Sequence, residues 1–398
     1  MNDDKDKNSE TRNSTDSEEY MNNYKNKNLD VSLNTENNHF ESIKKENILN
    51  INEENDDKII DKTKNENIND FSSMHIERSI AEDSYNNDFN NSFCVFESIN
   101  QILYLIYTNE NFSIITYNLV KFQKINEIKR AHRSSIIGFR HYSDKKNKRD
   151  LIISISIKDN NVKLWNINDF ELLFDYQKIN NNGFINSACF LSNNSDIYIV
   201  SSNFNFMAYT EPIKVFDLNG KLVQILDTFN EIIFFLDVYY DKILSMSFII
   251  SCGYESVQSY DFNGGIIYNQ YFEEVKYRYN SAVINDSENE IKLIAPNTIG
   301  YIVIWNFHSG ELINKIKAAE NVIYDICQWD NNYCIIGGDY EFKIINIKSK
   351  KITKELINTK RLIRTIKKFT HTYFGECLIV QDKGKGKLNI WTLNHSNL

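Results

Sequence analysis

The chain of 398 residues has little of the two residue types that interrupt regular structure. It contains 13 glycines, the first at Gly138, and two prolines, Pro212 and Pro296. This excludes a collagen-like chain or a proline-rich linker. Its apolar runs, such as residues 232–236, end at a charge well short of the ~20 residues that a membrane span needs. The sequence therefore predicts a chain without a transmembrane segment.

Motifs for catalysis, phosphate binding and metal binding are also missing. No Gly-x-Ser-x-Gly, phosphate-binding Gly-rich loop or His-Glu-x-x-His occurs, and the six cysteines include no Cys-x-x-Cys pair. We therefore expect a protein that is not an enzyme, that uses no metal or cofactor, and whose cysteines are reduced thiols in the core.

Charge divides the chain into two parts. Residues 1–91 carry 22 acidic and 11 basic side chains, so the formal net charge of −9 leaves about +2 for the rest. Residues 1–71 show no sustained apolar period and cannot bury enough apolar surface to offset the entropy of ordering. The sequence predicts a disordered, asparagine-rich acidic tail over residues 1–71 and a folded domain over 72–398. Because no apolar signal segment follows Met1, we expect a cytoplasmic or nuclear protein.

One short pattern recurs seven times in the folded part. An alternating apolar strand ends in an aromatic or apolar residue, which a small polar residue, Asn or Asp in six copies, and another apolar residue follow. The seven aromatic or apolar positions are Tyr117, Trp165, Phe216, Tyr260, Trp305, Ile345 and Trp391. Successive copies lie 40 to 51 residues apart, close to the ~40–45 residues of a four-stranded propeller blade.

Further alternating segments between the copies, linked by Asn-, Asp- and Gly-containing turns, predict four strands per repeat. We therefore expect an all-β fold: a seven-bladed β-propeller of four-stranded antiparallel blades. After Trp391 only seven residues remain, too few for a fourth strand in the last blade. A strand near residues 74–80, with Met74, Ile76 and Ile80 on one face, is expected to complete this blade and close the ring.

The second repeat carries the clearest family resemblance. His132 stands before its first strand, and Asp159 precedes Trp165 by six residues. This order is similar to that of WD-repeat (WD40-type) β-propellers. The resemblance implies a buried hydrogen-bonded tetrad of His132, Asp159, Trp165 and a strand hydroxyl, although Ile157 occupies the position expected for the hydroxyl and Ser156 lies beside it.

Other copies follow this pattern less closely. They keep Trp305, Trp391 and the turn aspartate Asp339 as structural residues, and no copy has a literal Trp-Asp.

The resemblance also implies a function. We expect a non-enzymatic scaffold or adaptor that binds other proteins through the rim loops of a propeller, monomeric within a complex. The alternative is a propeller that binds phosphoinositide or phosphate, although the Phe/Leu-Arg-Arg-Gly motif of one such family is absent. Nucleic-acid binding is not expected, because the folded part has little net charge and no long basic run.

Projected onto such a propeller, basic residues from three consecutive blades fall on the rim that carries the partner-binding loops. The predicted partner-binding residues are Lys129, Arg130, Arg133, Lys360, Arg361, Arg364, Lys383 and Lys385. Arginines grip carboxylate or phosphate bidentately, so this basic sector suits acidic or phosphorylated partner segments. The alternative interpretation is a scatter of solvated loop cations.

Overall fold

The protein was analysed as a computed structural model. The structure describes residues 75–80, 93–156, 159–176, 184–193, 196–204, 212–227, 231–262, 266–271, 273, 277–287, 290–383 and 388–392; side chains at 75–80, 266–267, 357–361 and 382–383 lie outside this description. The predicted tail, residues 1–71, also lies outside it. The described residues form 26 β-strands arranged as a β-propeller.

The first strand, β1 (His75–Ile80), belongs to the last sheet. Five four-stranded antiparallel blades follow it, each built from strands that are consecutive in the chain. Blade 1 comprises β2 (Phe93–Glu97), β3 (Leu103–Thr108), β4 (Ile114–Asn118) and β5 (Gln123–Ile128). Blade 2 comprises β6 (Ile136–Asp144), β7 (Arg149–Ser156), β8 (Asn161–Asn166) and β9 (Glu171–Asp175). We call the four strands of a blade a, b, c and d in chain order.

The next three blades repeat this order. Blade 3 comprises β10 (Phe184–Asn193), β11 (Asp196–Phe204), β12 (Ile213–Asp217) and β13 (Leu222–Leu226). Blade 4 comprises β14 (Ile233–Asp241), β15 (Met246–Gly253), β16 (Val257–Asp261) and β17 (Ile266–Tyr271). Blade 5 comprises β18 (Val283–Ser287), β19 (Glu290–Pro296), β20 (Tyr301–Asn306) and β21 (Leu312–Lys317).

The last sheet has six strands and corrects the predicted blade number. Its strands are β22 (Ile323–Gln328), β23 (Tyr333–Asn346), β24 (Lys351–His371), β25 (Gly375–Lys383) and β26 (Leu388–Thr392), with β1 paired outside β26. Two separate blades are expected here, but β23 and β24 stay extended through the expected loops. The first part of β24 pairs with β23 and the second part pairs with β25. The seven-bladed prediction is therefore wrong, and the propeller has six blades.

The hydrophobic core lies between neighbouring sheets. Phe248 of blade 4, for example, packs with Trp305 and Phe307 of blade 5. The six-stranded sheet packs against blade 5 through Ile336 and against blade 1 through Ile379. Each sheet therefore buries its apolar side chains against the next one, and the last sheet packs against the first.

The polar residue that ends most c strands has a recurring role in the turn that follows. The Oδ1 atom of Asn118, Asn166, Asp217, Asn306 or Asn346 accepts a hydrogen bond from a backbone N–H two to four residues later. Both Asn and Asp supply this oxygen. The c–d turn therefore tolerates Asn where the WD-repeat pattern has Asp.

Candidate interaction face

In four blades, polar contacts join the loop that precedes strand a to the turn between strands b and c. In blade 2 the backbone N–H of Arg133 donates to Asp159 Oδ2 over 2.7 Å. In blade 4 the order is reversed, because Glu231 lies in the loop and accepts from the backbone N–H of Glu255 and of Ser256. We call the face on which these loops and turns meet the loop face. The a–b hairpins lie at the opposite end of the strands.

His132, Asp159 and Trp165 come together at the loop face of blade 2. Trp165 Nε1–H donates to Ser154 Oγ over 2.9 Å, and the same Oγ lies 2.7 Å from His132 Nε2. The serine oxygen accepts from the indole, and it donates to His132 Nε2 in the tautomer that carries the histidine proton on Nδ1. That Nδ1 lies 3.5 Å from Asp159 Oδ2, beyond the usual N–H···O length, so the two side chains are close without a hydrogen bond between them.

The hydroxyl of this network comes from Ser154, a residue that the sequence analysis did not single out. Ser154 is two positions before Ser156, which instead contacts Ser134 Oγ over 2.7 Å. Ile157 lies outside the described residues. Ser154 could have been found by placing it two residues beyond Ile152, the cross-strand partner of Trp165.

Burial and hydrogen bonding set the charges of this network. Burial lowers the pKa of His132, although Asp159 opposes the shift, so the imidazole is neutral at pH 7. Burial also disfavours the Asp159 carboxylate, but the nearby His132 and hydrogen bonds from Arg133 and Ser134 outweigh it and lower the pKa of Asp159 to about 2. The carboxylate is therefore ionised near neutral pH and ties the loop to the turn.

In other blades, three buried glutamates also join the loop before strand a to the turn between strands b and c. The sequence analysis did not single out any of them. Glu231 also accepts from Ser256 Oγ over 2.6 Å and from Gln258 Nε2 over 3.1 Å. Its pKa is raised by burial despite these hydrogen bonds.

The other two glutamates serve blade 5 and the six-stranded sheet. Glu273 accepts from Tyr279 and Asn297 and pairs with Lys315. Glu341 accepts from the backbone N–H of Glu320. The three glutamates stand at different spacings from the repeated motif, so the repeat gives no signal for them.

The remaining predicted structural residues do not build further tetrads. Trp305 and Trp391 are buried, but neither indole nitrogen has a hydrogen-bond partner among the described residues. Asp339 donates its backbone N–H to Val322 O over 3.0 Å, and its carboxylate accepts from the Tyr324 hydroxyl. Asp339 therefore joins loop and turn without a histidine.

The predicted basic sector is described only in part. Lys129, Arg130 and Arg133 are exposed on the loop that leads into blade 2. The side chains of Lys360, Arg361 and Lys383, and all of Lys385, lie outside the described residues.

The fourth described member, Arg364, is part of a different arrangement. Its guanidinium carbon lies 3.9 Å from the centre of the Tyr324 ring. Arg278, which the sequence analysis did not select, stacks in the same way at 3.8 Å from the centre of the Phe234 ring. Burial raises the pKa of Tyr324 to about 12, and the positive charges of Arg364 and Arg278 act against this shift. We call Phe234, Arg278, Tyr324 and Arg364 the arginine–aromatic arc.

β-Bulges shape this arc. Five strands in four sheets carry one extra residue near the loop face: Ile137, Asn186, Phe234, Tyr324 and Arg364, the last two in the six-stranded sheet. A bulge bends the strand and re-aims the side chain of the extra residue. In blades 2 and 3 the position is taken by buried Ile137 and by Asn186, which donates to Ile233 O. The arc is thus confined to blades 4 and 5 and the six-stranded sheet.

Opposite charges line a cavity near the a–b hairpins of blades 2 to 4. This cavity of about 620 Å³ is lined by Arg140 and Asp237, together with Tyr142, Cys189 and Tyr240. Among the described residues, no three His, Cys, Asp or Glu side chains are grouped as a metal site would require. None of these residues forms a helix of the length and apolarity that spanning a bilayer requires.

No protein-family model matches this chain, and no curated protein sequence matches it. The β-propeller arrangement and the geometry of the loop face are therefore the basis for assigning a function.

Proposed function

We propose that the chain is a WD-repeat-type propeller that acts as a non-enzymatic scaffold or adaptor in the cytoplasm or nucleus. It binds protein partners through its loop face. The loop that carries Lys129, Arg130 and Arg133 is the primary contact for acidic partner segments.

One observation carries this proposal: an exposed cationic loop is fastened to a buried polar network. The side chain of Arg133 is exposed, while its backbone N–H is held by Asp159. A rigid scaffold with charged loops suits protein recognition, because the loops are positioned before binding and lose little entropy. Propellers commonly serve as platforms for protein interaction, which agrees with this assignment.

Affinity purification with mass spectrometry on matched baits tests the proposal. One bait is the intact chain, and the second carries Lys129→Glu, Arg130→Glu and Arg133→Glu. A control carries Lys145→Glu, Lys146→Glu and Lys148→Glu in the a–b hairpin of blade 2, at the opposite end. Both sets reverse three charges, and each includes one residue with positive φ, Arg130 or Lys148. Partners lost only with the loop variant support the proposal, and an identical partner list for all baits contradicts it.

Liposome flotation separates protein binding from the lipid-binding alternative. Vesicles containing phosphoinositide should leave the intact chain in the lower fraction. Flotation of the intact chain and loss of flotation in the loop variant would favour a lipid-binding propeller instead.

A further inference from the structure

We propose that the arginine–aromatic arc is a carboxylate-binding site for an acidic segment of a partner protein. The proposal deepens the proposed function by naming the chemistry that the loop face recognises. It depends on partners binding this face, but it concerns residues other than the loop of Lys129, Arg130 and Arg133.

Stacking fixes the orientation of both guanidiniums. Each guanidinium carbon lies over a ring, that of Arg278 over Phe234 and that of Arg364 over Tyr324, within the distance of a cation–π contact. The ring covers one face of the guanidinium and leaves the N–H groups at its edge. A planar carboxylate binds at that edge through two parallel hydrogen bonds.

Arg364 has an unused donor at this edge. Its Nε is buried and has no hydrogen-bond partner among the described residues. Leaving a buried N–H without an acceptor is unfavourable, and a ligand oxygen would remove that cost. The Nε–H and a neighbouring Nη–H together form a fork that donates to both oxygens of a carboxylate.

The surrounding charges favour a carboxylate ligand over a phosphate. Among the described side chains that act on the Tyr324 hydroxyl, the two guanidiniums are opposed by one carboxylate, that of Asp339. These three groups together carry one positive charge, which a single carboxylate neutralises. A phosphomonoester carries close to two negative charges at pH 7 and would leave the arc with an excess of negative charge next to Asp339.

The bulges explain why this site has no counterpart in blades 2 and 3. The extra residue of strand a is Ile137 in blade 2 and Asn186 in blade 3, and neither is an aromatic residue or an arginine. An acidic segment that binds across the loop face therefore meets the arginines of the arc in blades 4 and 5 and the six-stranded sheet, in addition to Arg130 and Arg133 in the loop of blade 2.

Fluorescence anisotropy with the full chain tests the inference. The probe is a fluorescein-labelled (Glu-Gly)5 peptide, compared with (Gln-Gly)5 and with the (Gln-Gly)5 peptide carrying one phosphoserine in place of a glutamine. Arg364→Gln should weaken binding of the glutamate peptide about tenfold, because it removes one bidentate charged contact. Arg364→Lys keeps the charge but loses the fork and should weaken binding to a similar extent.

A second variant of the arc and one control variant complete the set. Arg278→Gln changes an exposed residue, so weakened binding in this variant cannot be attributed to a folding defect. The double variant Lys145→Gln and Lys146→Gln removes two charges from the opposite end and should bind like the unmodified chain.

Several outcomes would overturn the inference. These are equal affinity of Arg364→Gln and the unmodified chain, unweakened binding by Arg364→Lys, a preference for the phosphoserine peptide, or no binding of the glutamate peptide. Each of them leaves the proposed function intact if the loop variant still loses its partners. If the arc variants lose binding of the glutamate peptide while the loop variant keeps all its partners, the loop is not the primary contact. The proposal for the arc then stands.

Discussion

Blades 2 and 3 carry a serine at the same place in strand b, and the two serines have different surroundings. Ser154 lies two residues beyond Ile152, which pairs with Trp165, and Ser201 lies two residues beyond Ile199, which pairs with Phe216. Ser154 contacts His132 and Trp165, whereas Ser201 Oγ is buried with no hydrogen-bond partner among the described residues. The side chain of Phe216 has no N–H to donate to Ser201. A serine at this place in strand b therefore does not form the network by itself.

The largest expected effect comes from removing the two hydroxyls in turn. Ser154→Ala should lower the free energy of unfolding by about 2–3 kcal/mol, because it leaves His132 Nε2 and Trp165 Nε1 buried without a partner. Ser201→Ala should be nearly neutral, since that hydroxyl makes no contact to lose. The measurement is the shift of the urea unfolding midpoint, and equal shifts for the two variants would break the comparison.

The loop-to-turn link of blade 2 should depend on pH in one direction. The lowered pKa of Asp159 stabilises the fold above the unfolded pKa of ~4, and this contribution is lost as pH falls towards about 2. Asp159→Asn should therefore cost about 1–2 kcal/mol at pH 7 and progressively less below pH 4. Urea titrations at pH 7, 4 and 3 measure this, and a cost that stays constant with pH would contradict it.

The link of blade 4 should depend on pH in the opposite direction. Burial raises the pKa of Glu231, so the folded protein holds a proton that the unfolded chain releases. The unmodified protein then loses stability as pH rises above the unfolded pKa of ~4.3. Glu231→Gln should remove that loss, which appears as a smaller fall in the urea midpoint between pH 4 and pH 7. An unchanged fall would mean that Glu231 does not titrate differently on folding.

The smallest effects are expected in the c–d turns. A residue one or two positions before strand d has positive φ in several blades: Gly310, two positions before β21, has φ of 73°, and Lys350, directly before β24, has φ of 61°. Glycine adopts this conformation freely, whereas for other residues it costs roughly 1 kcal/mol of conformational free energy. Gly310→Ala should therefore lower stability by about 1 kcal/mol, and Lys350→Gly should raise it by up to a similar amount. Paired thermal unfolding curves that shift in the same direction would contradict this.

The sequence predicts much of the fold because the repeated motif coincides with a physical need. Every copy lies in a β-strand, and the Asn or Asp that follows most copies caps the next turn with Oδ1. The blade number could not be predicted in the same way. Motif copies at Ile345 and Trp391 lie in one sheet, because β24 runs from Lys351 to His371 and pairs with a different neighbour in each half.

The candidate site was less predictable than the fold. His132, Asp159 and Trp165 follow a spacing that can be read from the sequence, and they meet through Ser154. Glu231, by contrast, does the work of Asp159 from the other side of the contact, so no shared position identifies it. The arc is equally hard to predict from the sequence. Arg278 and Tyr324 belong to no repeated motif, and they come from distant parts of the chain.

The pairing of β1 with β26 has a consequence for the order of assembly during synthesis. Blades 1 to 5 consist of successive strands, so each can form once its own segment has left the ribosome. The β1–β26 ladder joins His75 to Thr392, so β1 must wait for nearly all of the chain. At ~5–20 residues per second this delay is on the order of half a minute. During that time the backbone edge that will complete the propeller has no partner, and nascent chains are most exposed there to pairing with one another.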